Sequence, residues 1–115
     1  MKSAFLVIAT FWLGFAGATQ SAVILDVRTP AEYNEGHVKG ARNLDFNSPE
    51  FKTEIAKMDK NAAYKVYCKK GGRADKSKAA MREMGFNNVE SLGGVQDAAK
   101  KLSAPIETPF PRPTP

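Results

Sequence analysis

The clearest hydrophobic signal is a short continuous run, Ala22-Val23-Ile24-Leu25, ending at Asp26. Such a run fits a strand covered on both faces. Tyr64-Lys65-Val66-Tyr67 reads as a second strand and Val89-Glu90-Ser91-Leu92 as a third, with Gly93-Gly94 as a turn after it. Helical signals fall between them. Thr29 can cap and Pro30 can open a short helix that runs through Glu35. Gly36 and Gly40 then bracket a loop, and Ser48-Pro49-Glu50 repeats the cap-then-proline signature ahead of an apolar face at Phe51, Ile55 and Met58. From Ala74 the residues Ser77, Ala80, Met81 and Met84 share one helical face, Gly85 is a C-terminal stop, and Val95 to Leu102 forms a last helix. Strands alternating with helices predict an α/β fold, a small parallel sheet flanked by helices.

The two ends of the chain read differently. Lys2 precedes fifteen uncharged residues, Ala4 to Ala18, closing on Ala16-Gly17-Ala18. That is the order of a secretory signal, and it is short of the ~20 apolar residues that span a bilayer, so a membrane anchor or a buried first helix is the weaker alternative. The expected layout is a signal peptide at 1–18, one domain at 19–103 and a proline-rich, extended, disordered tail at 104–115. Export predicts a periplasmic address, with secretion as the alternative and no stable membrane anchor after cleavage.

Charge narrows the partners. The 17 basic residues against 12 acidic give a formal net charge of +5. They are spread along the chain, and the one local cluster, Lys69, Lys70, Arg73, Lys76 and Lys78, has no interleaved aromatics. Nucleic acid is therefore not expected, and a small anion fits better. A monomer is expected, with no cofactor. His37 is the only histidine and no Cys/His cluster exists, so no metal site is expected. His37 reads as a hydrogen-bonded loop anchor, and Asp26 with Arg28 as a buried polar pair bracing the floor of the site.

An exported protein normally pairs its cysteines, and this chain has one, Cys68. It could be a small buried hydrophobe. Its position argues for more, because ligands in parallel α/β sheets gather at the carboxyl ends of strands. Cys68-Lys69-Lys70-Gly71-Gly72-Arg73 leads from the second strand into a helix. Two glycines let such a loop turn its backbone N–H groups toward one centre, and the helix N-terminus adds partial positive charge. A thiol at a helix N-terminus beside cations is favoured as thiolate. The segment describes an activated nucleophile in an anion cradle.

The pattern C-x-x-G-x-R, followed by a helix and "MGFNNVESLGG", resembles the active-site half of the rhodanese family of sulfurtransferases. The upstream "LDVRTPAEYNEGHVKGARNL" is similar to that family's first signature through Asp26, Val27, Arg28, Pro30, Glu32, Tyr33, Gly36, His37, Gly40, Ala41 and Asn43. The likeness covers roughly residues 22–97 and is strongest to the small, single-domain, periplasmic phage-shock type. Departures are Arg42 and Asp45 around Asn43, where the family often has an apolar residue and a proline, and Ala98 where a tryptophan is frequent. The strand and helix that usually precede the first signature are expected to be missing. The resemblance implies a three-layer α/β/α fold and a persulfide cycle. The Cys68 thiolate takes the outer sulfur of thiosulfate, and cyanide or a small thiol accepts it. Arg73 would close the loop as a catalytic residue, with Lys69, Lys70, Gly71 and Gly72 binding the donor.

Rival functions are distinguishable. Phosphatases and arsenate reductases resemble C-x5-R, whereas four residues separate Cys68 from Arg73. A binding module that serves partners without turnover would be expected to lose the cysteine, whereas a sulfur-carrier role is compatible with an intact loop. A disulfide oxidoreductase needs a second cysteine.

Overall fold

The computed structural model describes residues 22–108. In chain order the elements are β1 (Val23–Asp26), α1 (Pro30–Glu35), β2 (His37–Val38), β3 (Arg42–Asn43), α2 (Phe51–Ala56), β4 (Ala63–Cys68), α3 (Gly72–Glu83), β5 (Asn88–Gly94), α4 (Val95–Leu102) and β6 (Ile106–Glu107). Four strands form one sheet in the order β3-β1-β4-β5, every pairing parallel. The helices cover both faces. Leu25, Val66, Cys68 and Val89 point to one face and pack with Phe51 and Ile55 of α2 and Ala74 and Met81 of α3. Ile24, Tyr67 and Leu92 point to the other and pack with Tyr33 of α1 and Ala98 and Leu102 of α4. This is the three-layer α/β/α arrangement, and the strand alternation that assigns each residue to a layer follows from the pleat. Burying a side chain such as Leu25 or Ile55 contributes roughly 1.5–3 kcal/mol, and both are fully buried.

The cap-then-proline signal at Thr29 and Pro30 has a physical counterpart, whereas Ser48 and Pro49 lie ahead of α2, whose N-cap is Glu50 with no side-chain cap bond and which ends at Ala56, before Met58. Thr29 Oγ1 accepts from Glu32 N at 3.2 Å while Glu32 Oε1 accepts from Thr29 N at 3.0 Å, a reciprocal capping box with Pro30 in the first turn. At the far end of α3 the chain leaves the helix through Gly85 at φ +100°, where a side chain would be strained.

Several details differ from the sequence reading, β3 among them, a two-residue strand that the reading did not contain. The stretch between Gly36 and Gly40 contains a strand, β2, too short for its period to register. Gly93 and Gly94 end β5 as strand residues, with Gly94 paired to Cys68 and bridged to Lys70. Helix α3 starts at Gly72, ahead of Ala74, so Arg73 lies in its first turn. The tail expected from residue 104 begins as a strand, β6, antiparallel to β2. Proline removes a donor but keeps its carbonyl, and Pro105 O accepts from Lys39 N at 2.9 Å. The expected signal peptide at 1–18 and residues 109–115 lie outside the described residues. Among the described residues no helix is long and apolar enough to cross a membrane.

Candidate active site

Strand β4 carries Cys68 to the carboxyl edge of the sheet, where the chain must reverse into α3 within Lys69, Lys70 and Gly71. Gly71 makes the reversal possible at φ +117°, a left-handed conformation that side chains resist. Its N–H is thereby aimed at the sulfur, donating to Cys68 Sγ at 2.9 Å. Gly71 O accepts from Asp75 N at 2.9 Å as α3 begins. The sulfur thus sits at the N-terminal end of a 12-residue helix, where the macrodipole favours negative charge. Ser91 of β5 donates to Asp75 Oδ1 at 2.7 Å and ties that first turn to the sheet.

A cavity of about 320 Å³ opens over Cys68, lined by Lys69, Lys70, Gly72, Arg73 and Lys76, with no acidic side chain among them. A larger hollow of about 450 Å³ lies by Val23, Ala62 and Tyr64, toward the amino ends of the strands. It contains no cysteine, and the nucleophile expected from the sequence lines the smaller one. Among the described residues Lys69, Lys70 and Lys76 form no ion pair. Arg73 does. Its Nη1 and Nη2 donate to Glu32 Oε1 and Oε2 at 2.8 and 3.2 Å. The Arg73 hydrogen bond holds the Glu32 carboxyl down at about 2, against the opposing effect of burial. The Glu32 hydrogen bond and charge in turn raise Arg73, against the opposing effect of burial.

The remaining residues expected at the site lie apart from the cavity. Asp26 and Arg28 are both buried beneath the carboxyl end of β1, with Arg28 Nη2 2.6 Å from Asp26 Oδ2 and also donating to Gly36 O at 2.6 Å. His37 lies in β2, its Nδ1 3.0 Å from Tyr33 O and its ring stacked on Tyr33. Among the described residues no group of three or more His, Cys, Asp or Glu side chains is placed to hold a metal.

A profile of the rhodanese-like domain matches residues 15–101. The chain belongs to the rhodanese-like domain family. Thiosulfate sulfurtransferase PspE of Escherichia coli is 39% identical over 75 residues, which are 65% of this chain and 72% of PspE. Thiosulfate sulfurtransferase GlpE of Stutzerimonas stutzeri is 38% identical over 64% of this chain and 65% of its own. A tRNA uridine(34) hydroxylase from Pelagibacter ubique is 33% identical over 85 residues, which are 72% of this chain and 28% of that protein. A solved structure described as a rhodanese with anions from E. coli superposes with a TM-score of 0.63 and 32% identity, over 76% of this chain and 99% of that one.

Three residues of this rhodanese-like site were not singled out by sequence reasoning as site residues. Lys76 belonged to the basic cluster, and its i+3 spacing from Arg73 could have brought it to the same mouth. Glu32 was visible through the Thr-x-x-Glu capping box, but its contact with Arg73 spans 41 positions. Gly94 looked like turn punctuation. A Cβ there would lie 2.5 Å from Lys69 O, so the reason for glycine is close approach to the loop backbone. Gly94→Ala is expected to push Lys69 and Lys70 outward, costing about 1–3 kcal/mol and about tenfold or more in sulfur transfer. Urea unfolding and initial rates check both, and a fully active, equally stable variant would contradict the close approach.

Proposed function

We propose that this rhodanese-like domain is a thiosulfate sulfurtransferase with Cys68 as its nucleophile, acting in the periplasm after removal of residues 1–18. One observation carries the reading: a backbone N–H donates to Cys68 Sγ at 2.9 Å, on the floor of a cavity rimmed by lysines. That setting puts a donor and positive charge beside the sulfur and draws in a divalent anion. Two relatives named thiosulfate sulfurtransferases support it.

The thiolate attacks the outer sulfur of thiosulfate. A new S–S bond forms, the donor's S–S bond breaks, and its electron pair leaves with sulfite. Lys69, Lys70 and Lys76 hold the sulfonate and stabilise the charge that builds on the departing sulfite. Cyanide then attacks the terminal sulfur of the Cys68 persulfide, thiocyanate leaves, and the electron pair returns to Sγ. The chain has a single cysteine, so no internal thiol resolves the persulfide and the acceptor, cyanide or a small thiol, comes from outside. Four residues between Cys68 and Arg73 make a loop one residue short of the C-x5-R that phosphatase-type enzymes resemble.

Intact-protein mass tests the cycle. Brief incubation with excess thiosulfate is expected to add about 32 Da, one sulfur atom, and cyanide to remove it. A chain that gains no mass would sink thiosulfate as donor, and hydrolysis of an aryl phosphate would then point to the rival chemistry.

A further inference from the structure

Among the described residues the Glu32–Arg73 pair is the side-chain ion pair that bridges the two helical layers over the mouth of the site. Glu32 lies on α1, whose Tyr33 packs with the Tyr67 and Leu92 layer, while α3 packs its Ala74 and Met81 into the opposite layer. These helices follow β1 and β4, neighbours in the sheet, so the pair spans their adjacent carboxyl ends. Glu32 is already immobilised before it meets Arg73. Its Oε1 accepts from Thr29 N at 3.0 Å and Thr29 Oγ1 at 3.1 Å as well as from Arg73 Nη1 at 2.8 Å. A fork-on-fork contact with a pre-fixed carboxylate loses little side-chain entropy and sets direction as well as distance. Both partners are three-quarters buried, at 25% and 23% side-chain exposure, so solvent screens them less than an exposed pair.

We infer that Glu32 is a positioning residue of the sulfur-transfer site: it struts Arg73 across the mouth and withdraws that guanidinium's charge from Cys68 and from the donor. Lys69 and Lys70 of the loop and Lys76 of α3 are then the cations left to the anion. Asp45, after β3, is the other acid whose charge acts on Arg73. Arg73 therefore acts as a clamp on the first turn of α3 rather than as a ligand of the donor. The kinetic half of this inference rests on the sulfurtransferase reading. The electrostatic half does not.

Glu32→Gln separates the two jobs of the side chain, because glutamine serves in a capping box but carries no charge for Arg73. The first arm measures the pH dependence of Cys68 alkylation by iodoacetamide, which needs no sulfur donor. Removing an anion from near a thiolate favours it, so the midpoint is expected to move to lower pH in the variant by about half a pH unit. A purely structural role for Glu32 would leave the midpoint in place or, by loosening the Gly71 N–H contact, raise it. Either result overturns the inference. The second arm follows thiosulfate turnover with cyanide. Here kcat is expected to fall about tenfold while KM for thiosulfate does not rise, since Arg73 is released toward the donor. In an Arg73→Met background, checked for an intact thermal transition and backed by Arg73→Lys, Glu32→Gln is expected to cost no further kcat. The same loss in both backgrounds would overturn the clamp. If the wild type transfers no sulfur from thiosulfate, the functional reading fails, and the alkylation arm still decides the role of Glu32.

Discussion

Serine in place of Cys68 is expected to remove sulfur transfer while leaving the fold intact. The sulfur makes one polar contact, accepting the Gly71 N–H at 2.9 Å, and a serine oxygen can accept the same donor. The side chain is 1% exposed and packs with Val66 and Ala74 in the core beneath the loop, so the cost of exchange is about 1–2 kcal/mol for a hydroxyl that keeps a partner. The chemistry does not survive the exchange. A hydroxyl needs a general base to become a nucleophile, and the cavity is lined by lysines and an arginine engaged by Glu32. His37 is held on Tyr33 in β2 and does not line it. Loss of a lone nucleophile with nothing to replace it should lower turnover by at least about 10³-fold. Thiocyanate formation and intact mass after thiosulfate read the loss, while a urea transition near that of the wild type shows that folding is not its cause. Residual turnover above a few per cent of wild type would move the reaction off Cys68.

Much of this architecture was legible because it is written in short-range signals. Thr29 and Pro30 open α1, and the β-region preference of Val66 and Tyr67 brings Cys68 to the end of β4. Val95 to Leu102 was legible as a helix after the double glycine. The fold class followed from alternation alone. What escaped depends on contacts between distant parts of the chain. β2, β3 and β6 are two residues each, a single strand period with no repeat to register, and each is paired with a neighbour that supplies the other half of the ladder. Gly94 has φ −89° and ψ 176°, an ordinary extended backbone, so nothing local distinguishes it from a turn glycine. Its constraint comes from the carbonyl of Lys69. The site was legible as a loop and illegible as a network. The cysteine, the glycine and the lysines are contiguous, whereas the carboxylate that clamps Arg73 arrives from another helical layer.

The same distinction governs the largest expected effect on stability, that of Asp26→Ala. Asp26 is fully buried and Arg28 is 5% exposed. The aspartate accepts from Arg28 N at 2.9 Å, from Nε at 3.0 Å and from Nη2 at 2.6 Å. Burial pulls the Arg28 guanidinium down, and the Asp26 hydrogen bonds and charge outweigh it, so the cation stays charged inside the protein. Around it, Tyr67 stacks 5.7 Å from the guanidinium carbon, and Asn43 Nδ2 ties the carbonyls of Asp26 and Arg28 together at 3.1 and 2.9 Å. Truncating the aspartate leaves a buried, uncompensated guanidinium with Gly36 O as its remaining acceptor. Breaking a buried pair in this way costs about 3–5 kcal/mol, a large share of the roughly 5–15 kcal/mol by which a domain is stable. Replacing both partners removes the stranded charge. Asp26→Leu with Arg28→Met is expected to recover most of the loss, because an apolar pair of similar volume is often no worse than a buried ion pair. Urea unfolding of the single and double variants reads the two cases, and a single variant within about 1 kcal/mol of wild type would show that the pair is not what braces the carboxyl end of β1. The position of that end matters to the chemistry. α1 springs from it two residues past Arg28, and α1 carries the glutamate that holds Arg73.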